Sequence, residues 1–176
     1  MRYILTVVAI MISTQIFGQT LPPPSPCLTD KIYRQFDFWL GDWEAFNIKG
    51  KKAGDSRITL ILDSCIILEE WTNVSIPGVP SYKGKSFNTY DASSKQWQQT
   101  WVDNVGGSTH YIFGKFDQDK IIFQTSPAKK GKDSIQVMKL TFFDLGPNKV
   151  RQLGEISNDN GQTWSIQYDL EYRRKK

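Results

Sequence analysis

The chain predicts an all-β fold, an antiparallel up-and-down barrel of about ten strands, and three observations carry the prediction. Ten runs of β-forming residues follow one another between Asp37 and Arg173, with turn-forming residues between them. No stretch shows helical periodicity of useful length, and strand patterns do not alternate with helical ones, so neither a parallel sheet nor a second domain is indicated. The middle runs alternate polar and aromatic side chains, Ser86-Asn88-Tyr90 and then Trp97-Gln99-Trp101-Asp103. Residues two apart share one face of a strand, so a curled sheet would carry these rows on a single surface. A meander of this length leaves exposed edges unless it closes, which favours a barrel over the competing two-sheet sandwich.

Taken in order, residues 1–19 read as a secretory signal peptide. Met1-Arg2 is a short positive start, Tyr3 to Phe17 is mostly apolar, and Gly18 offers a small residue before a cleavage point at Gln19 or Thr20. The apolar part is shorter than the ~20 residues that a spanning helix needs, so no integral membrane segment is expected after cleavage. Residues 20–35 form a leader whose Thr20 to Cys27 part is proline-rich, expected to be extended and without core contacts, with a short turn or helix around Leu28 to Gln35. The single barrel domain then occupies 36–173. Its predicted strands are Asp37–Ile48, Ser56–Asp63, Ile66–Val74, Lys83–Tyr90, Gln96–Asp103, Ser108–Phe116, Lys120–Thr125, Ser134–Phe143, Lys149–Ser157 and Thr163–Arg173. Glycine, proline, asparagine and lysine clusters separate them, as in Gly106-Gly107 and Gly146-Pro147-Asn148, and most of these connections suit hairpins.

Charge and cysteine content exclude several function classes. The formal net charge is +4, but Arg2 leaves with the leader and Arg173, Arg174, Lys175 and Lys176 supply four positives at the C-terminus, so the body sits near −1. A clustered basic face, the usual footprint of nucleic-acid binding, is absent. Cys27 and Cys65 are the two cysteines, and in an oxidising compartment the pair reads as one disulfide tying the incoming segment to an early strand. Two cysteines and a lone histidine, His110, do not make a four-ligand zinc set, so no metal is expected.

The most specific block is Phe36-Asp37-Phe38-Trp39-Leu40-Gly41-Asp42-Trp43-Glu44, where Gly41 lets the backbone bend and Trp43 can plug one end of a barrel. Further along come Cys65, Glu69 and Trp71, then Trp97-x-Gln99-x-Trp101-Val102-Asp103, then Val150-Arg151-Gln152, and finally Ser157 to Trp164. A Gly-x-Trp first strand resembles the opening of lipocalin-like, or calycin-type, barrels. The full set, in this order and over most of the chain, resembles a group of uncharacterised secreted bacterial proteins with the Phe-Asp-Phe-Trp-x-Gly-x-Trp opening. That resemblance implies a barrel able to hold a small molecule and implies no established reaction. Some small barrels with this opening are similar to nitrobindin-type haem proteins, which depend on a late histidine. The last strand here has none, so no cofactor is expected.

Ser157-Asn158-Asp159-Asn160-Gly161-Gln162-Thr163-Trp164 also matches the Asp-box of sialidase-type propellers. Propellers repeat that box once per blade, whereas one copy is a hairpin device in which Asp159 caps the turn and Gly161 takes a positive φ. A serine hydrolase would have to use His110 as its base, and no Gly-x-Ser-x-Gly elbow presents a serine. Carboxylate acid/base chemistry is the remaining enzymatic route, with Glu69 and Glu155 as candidates. Glu69 shares a face with Trp71, and Glu155 shares one with Arg151, with which it could equally form a surface pair.

For binding, the candidates are Glu69, Trp71, Asn88, Tyr90, Gln99, Trp101, His110 and Arg151. Parity alone does not say which face of 86–90 is inside. Trp97 and Trp101 belong inside more readily than Gln98 and Thr100, which carries Gln99 inward, where Asn88 or Tyr90 could satisfy it. Such a row is either a polar structural network or a set of ligand anchors, and both readings stay open. Trp71, Trp101 and Tyr90 would be walls; Asn88, Gln99, Glu69 and Arg151 would orient the ligand, with Arg151 suited to a carboxylate or phosphate. The expected partner is a small, partly apolar molecule. An acid/base isomerase, cyclase or hydrolase without a cofactor, and a packed cell-envelope interaction module, are the alternatives; nothing in the sequence fixes an oligomeric state.

Overall fold

The computed structural model describes residues 24–132 and 134–176, so the signal-peptide reading and the start of the leader lie outside the described residues. Eleven strands form among the described residues: β1 Gly41–Asn47, β2 Lys52–Ile61, β3 Ile66–Asn73, β4 Lys83–Asp91, β5 Gln96–Asp103, β6 Ser108–Asp117, β7 Lys120–Gln124, β8 Ala128–Lys129, β9 Ile135–Asp144, β10 Lys149–Ser157 and β11 Ser165–Arg174. All ladders in the barrel are antiparallel, and β11 pairs with both β10 and β1 while β9 pairs with both β7 and β10. The sheet therefore closes on itself as a ten-strand, lipocalin-like up-and-down barrel, with two-residue β8 appended to β9. Closure removes the edges that a meander would expose.

Alternation along each strand sorts the side chains. In β4, Gly84, Ser86 and Asn88 are buried while Lys83, Lys85 and Phe87 are exposed, so the polar row faces inward and one phenylalanine is left outside. In β5, Trp97 and Gln99 are buried with it. The register lays these residues in inward rows across three strands: Ile67, Asn88 and Gln99; then Glu69, Ser86 and Trp101; then Trp71, Gly84 and Asp103.

One end of the barrel is filled. Phe36, Trp39 and Trp43 are fully buried there, with Phe36 stacked on Trp39 at 5.1 Å and Trp39 against Phe142 at 4.4 Å. Trp43 Nε1 donates to the Trp39 carbonyl at 2.8 Å, and the Arg174 guanidinium lies 4.2 Å from the Trp43 ring. Truncating any of these rings to alanine would cost about 3–5 kcal/mol. The expected strand over Asp37–Ile48 is shorter at its start, because Asp37–Trp39 forms a 3-10 turn before the chain bends into β1. Gly41 makes the bend at φ +125°, where a Cβ would run into the Arg174 guanidinium.

The described part of the proline-rich stretch is not extended and contact-free as expected, since Cys27 is buried within a helical turn, whereas the turn expected around Leu28 to Gln35 is present. Pro26–Thr29 forms one helical turn capped by Ser25, Lys31–Arg34 a 3-10 turn capped by Asp30, and the segment lies over the filled end. Tyr33 meets Tyr90 edge-on at 5.4 Å, and Gln35 Oε1 accepts from Trp97 Nε1 at 3.0 Å. Cys27 is buried and bonded to Cys65, which ends the β2–β3 turn rather than sitting within a strand. The Asp-box segment is a hairpin device as read. Asp159 Oδ1 accepts from the backbone N–H groups of Gln162 and Thr163 at 3.0 and 2.8 Å, and Gly161 takes φ +87°. That turn delays the last strand to Ser165.

Candidate functional site

The other end of the barrel is hollow. A cavity of about 520 Å³ reaches from the middle of the barrel to the turns that follow β3 and β5. Glu69 and Gln99 lie in its deeper part by register, Trp71 and Trp101 form walls, and Asp103 and Asn73 stand near the opening. Tyrosines 82, 111, 168 and 172, together with Leu140 and Gln152, complete the part of the wall that matters chemically.

The floor is a hydrogen-bond chain whose direction is fixed at one end. Asn88 is fully buried, and its Nδ2 donates to the Ile67 carbonyl, which accepts only, at 3.0 Å. The same Nδ2 donates to Ser86 Oγ at 3.0 Å, so the Ser86 hydroxyl must pass its own hydrogen onward, to Glu69 Oε2 at 2.9 Å. With its amide so oriented, Asn88 presents Oδ1 to Gln99, whose Nε2 donates at 2.7 Å. Gln99 Oε1 is thereby turned away from Asn88, and no donor among the described residues reaches it, although Gln99 is 3% exposed and lines the cavity. Gln99 Oε1 is open to the cavity rather than enclosed in the wall, unlike the partnerless and fully buried Trp39 Nε1.

Glu69 is the end point of this chain and of a second one. Ser56 Oγ donates to Glu69 Oε1 at 3.0 Å. Tyr172 holds a single hydroxyl hydrogen, which goes to Gln152 Oε1 at 2.6 Å, and its oxygen lies 3.5 Å from Glu69 Oε1. No lysine or arginine pairs with Glu69 among the described residues, and the residue is 2% exposed. Burial pushes it up to about 7, opposed by the hydrogen bonds from Ser86 and Ser56 and by the nearby Tyr172 hydroxyl. At neutral pH this group therefore exchanges readily between acid and carboxylate. Asp103 differs because the Gly107 N–H, at 2.7 Å, and the Tyr82 hydroxyl, at 3.0 Å, hold it below the usual carboxylate range.

The sequence-predicted residues divide. Glu69, Trp71, Gln99 and Trp101 come together on the cavity wall, and Asn88 lies buried beside them, orienting Gln99 without itself lining the space. Tyr90 is at the filled end against Tyr33 and Trp97, so it is no cavity wall. Arg151 and His110 point outward, because their strand neighbours Gln152 and Tyr111 take the inward positions. Arg151 is held bidentately by Asp169 at 2.9 and 2.7 Å beside a surface depression of about 350 Å³. His110 is exposed between Thr100 and Ser108. Glu155 is also outward and pairs with Lys139 at 2.9 Å, not with Arg151, and Lys139 lies 4.1 Å from the Trp164 ring.

Sequence reasoning missed Gln152, Tyr168 and Tyr172, although the alternation of the last two strands held the signal: inward Gln152 sits next to outward Arg151. It also missed three glycines inside strands. A Cβ on Gly54 would lie 2.6 Å from the Trp71 ring, one on Gly84 would collide with Trp101, and one on Gly154 with Tyr168. Each of these aromatic rings thus packs against a glycine of the neighbouring strand, the close approach that a glycine in a strand marks. No candidate metal cluster occurs among the described residues, and none of their helices is long and apolar enough to cross a membrane. No family model matches the chain, and no curated protein matches it.

Proposed function

We propose that the protein is an exported, lipocalin-like barrel that binds one small, partly apolar molecule non-covalently in its open cavity. The observation that carries this reading is Gln99: a buried amide is turned by Asn88 so that its oxygen faces an aromatic-walled space with no protein partner. A ligand donor would satisfy it, and the cavity is of the size that small-molecule sites have. The Cys27–Cys65 disulfide supports an oxidising compartment, and the resemblance to secreted barrel proteins supports the same assignment.

Nile red, a neutral dye whose emission shifts on leaving water, tests the reading. Blue-shifted binding at one dye per chain, abolished by Thr109→Trp at the cavity wall, is the expected result. Equal binding by the variant would move the dye to the outer surface, and absence of binding would favour the packed interaction module. A second reading has one specific support. Glu69 is poised near neutrality beside the cavity, as an acid/base enzyme without a cofactor would require. Turnover of a bound compound that disappears in Glu69→Gln while its affinity persists would establish that reading.

A further inference from the structure

The formal charges on the cavity wall are of one sign. Glu69 and Asp103 carry carboxyls, and no lysine, arginine or histidine lines the space among the described residues. Arg151, the cation that the sequence placed here, faces the opposite side of the sheet and is already paired. In the register, Gln99 stands in the row directly next to Glu69, and Trp101 shares the row of Glu69, so two oxygen acceptors and an indole ring converge on one part of the cavity. Trp71 adds a second ring one row toward the opening.

We propose that the cavity selects an organic cation, an ammonium group on an aromatic or otherwise apolar body, with the ammonium seated between Glu69 and Gln99 Oε1 and flanked by Trp71 and Trp101. The inference rests on the binding reading above and names its ligand class. An ammonium has only donors to offer, and the Gln99 oxygen and the Glu69 carboxylate are acceptors that can take two of them. Indole faces attract a desolvated cation by about 0.5–2 kcal/mol. Asp103 near the opening adds an anionic approach. A carboxylate or phosphate ligand would meet two like charges and no counter-ion.

The site also couples binding to a proton. The groups facing Glu69 are Ser56 of β2, Ser86 of β4, and Tyr172 of β11, with Tyr168 and Tyr82 also bordering the cavity. Burial raises all three of these tyrosines, so they remain neutral and Glu69 is the group that ionises on binding a cation near pH 7.

Three indoles of matched size test the proposal by calorimetry: tryptamine as the cation, 3-ethylindole as the neutral analogue and indole-3-propionic acid as the anion. Tryptamine is expected to bind at least tenfold more tightly than either analogue at pH 8, with about a tenfold loss on going to pH 6, where Glu69 must first release its proton. Buffers of different ionisation enthalpy should report close to one proton released per tryptamine bound at pH 6 by the wild-type chain. Glu69→Gln should bring tryptamine down to the affinity of 3-ethylindole. Equal or tighter binding of either analogue, or tryptamine binding with no proton release at pH 6, overturns the cation assignment. If Nile red still binds in that case, only the ligand class fails; if neither Nile red nor any indole binds, the binding reading fails with it.

Discussion

Replacing Glu69 by glutamine should make the protein more stable at neutral and alkaline pH, although it removes a group with several hydrogen bonds. Glutamine copies the shape of the protonated acid. Its oxygen can accept from Ser86 while its amide donates to Ser56, which then serves as acceptor. The wild-type carboxyl rises from its ordinary 4.5 to about 7 because it is buried. Below both values the two states are protonated alike, and the group adds nothing to the pH dependence. Between them the unfolded chain binds fewer protons than the folded one, so wild-type stability falls as pH rises, and above the folded value the loss is complete. A difference of this size corresponds to about 3 kcal/mol. Urea unfolding of both proteins with the disulfide intact, at intervals from about pH 4 to 8, isolates the effect because every other titrating group cancels in the difference. The gap should open by about 3 kcal/mol in favour of Glu69→Gln, with its steepest part below pH 7. Parallel stability curves would refute the reasoning and make Glu69 an ordinary ionised carboxylate.

Removing the cross-link with Cys27→Ser/Cys65→Ser should lower stability by about 4 kcal/mol, from the chain entropy of a loop closed across a sequence separation of 38, measured by urea unfolding. An unchanged unfolding midpoint would mean that the leader contributes nothing to the barrel. Gly84→Ala should push the Trp101 ring off its glycine and into the cavity, costing about 1–3 kcal/mol of stability and weakening Nile red binding at least tenfold. Retained dye affinity would show that Trp101 is not a wall of the occupied space. Arg151→Met and His110→Ala, both on the outer surface, should leave Nile red affinity within twofold of wild type in the same fluorescence titration.

Ten of the strands were legible because period-two alternation and hairpin turns are local signals, and β5 and β10 coincide with the predicted runs. Two-residue β8 is too short to carry a pattern, and the 3-10 turn at Asp37–Trp39 is hidden because its aromatic residues also suit a strand. The inward polar row was legible through the tryptophans of β5, which fixed the parity of Gln99 and hence of Asn88. Arg151 was misplaced by chemistry overriding parity: a cation that would suit an anionic ligand drew attention, while its neighbour Gln152 took the inward position. The row of Glu69, Ser86 and Trp101 runs across consecutive strands, but the approach of Tyr172 to Glu69 across a separation of 103 residues depends on barrel closure. In the polar row, Asn88 and Ser86 are spent within the hydrogen-bond network, while Gln99 and Glu69 line the cavity.

Native mass spectrometry of the protein as secreted by a bacterial host, followed by solvent extraction of whatever it carries, tests the central claim most directly. A discrete small molecule bound one per chain and lost in Thr109→Trp is the predicted result, and its charge would show which ligand class the cavity takes. A bare mass, combined with no change on adding Nile red or tryptamine, would contradict the account and make the row from Gln99 to Glu69 a structural network alone.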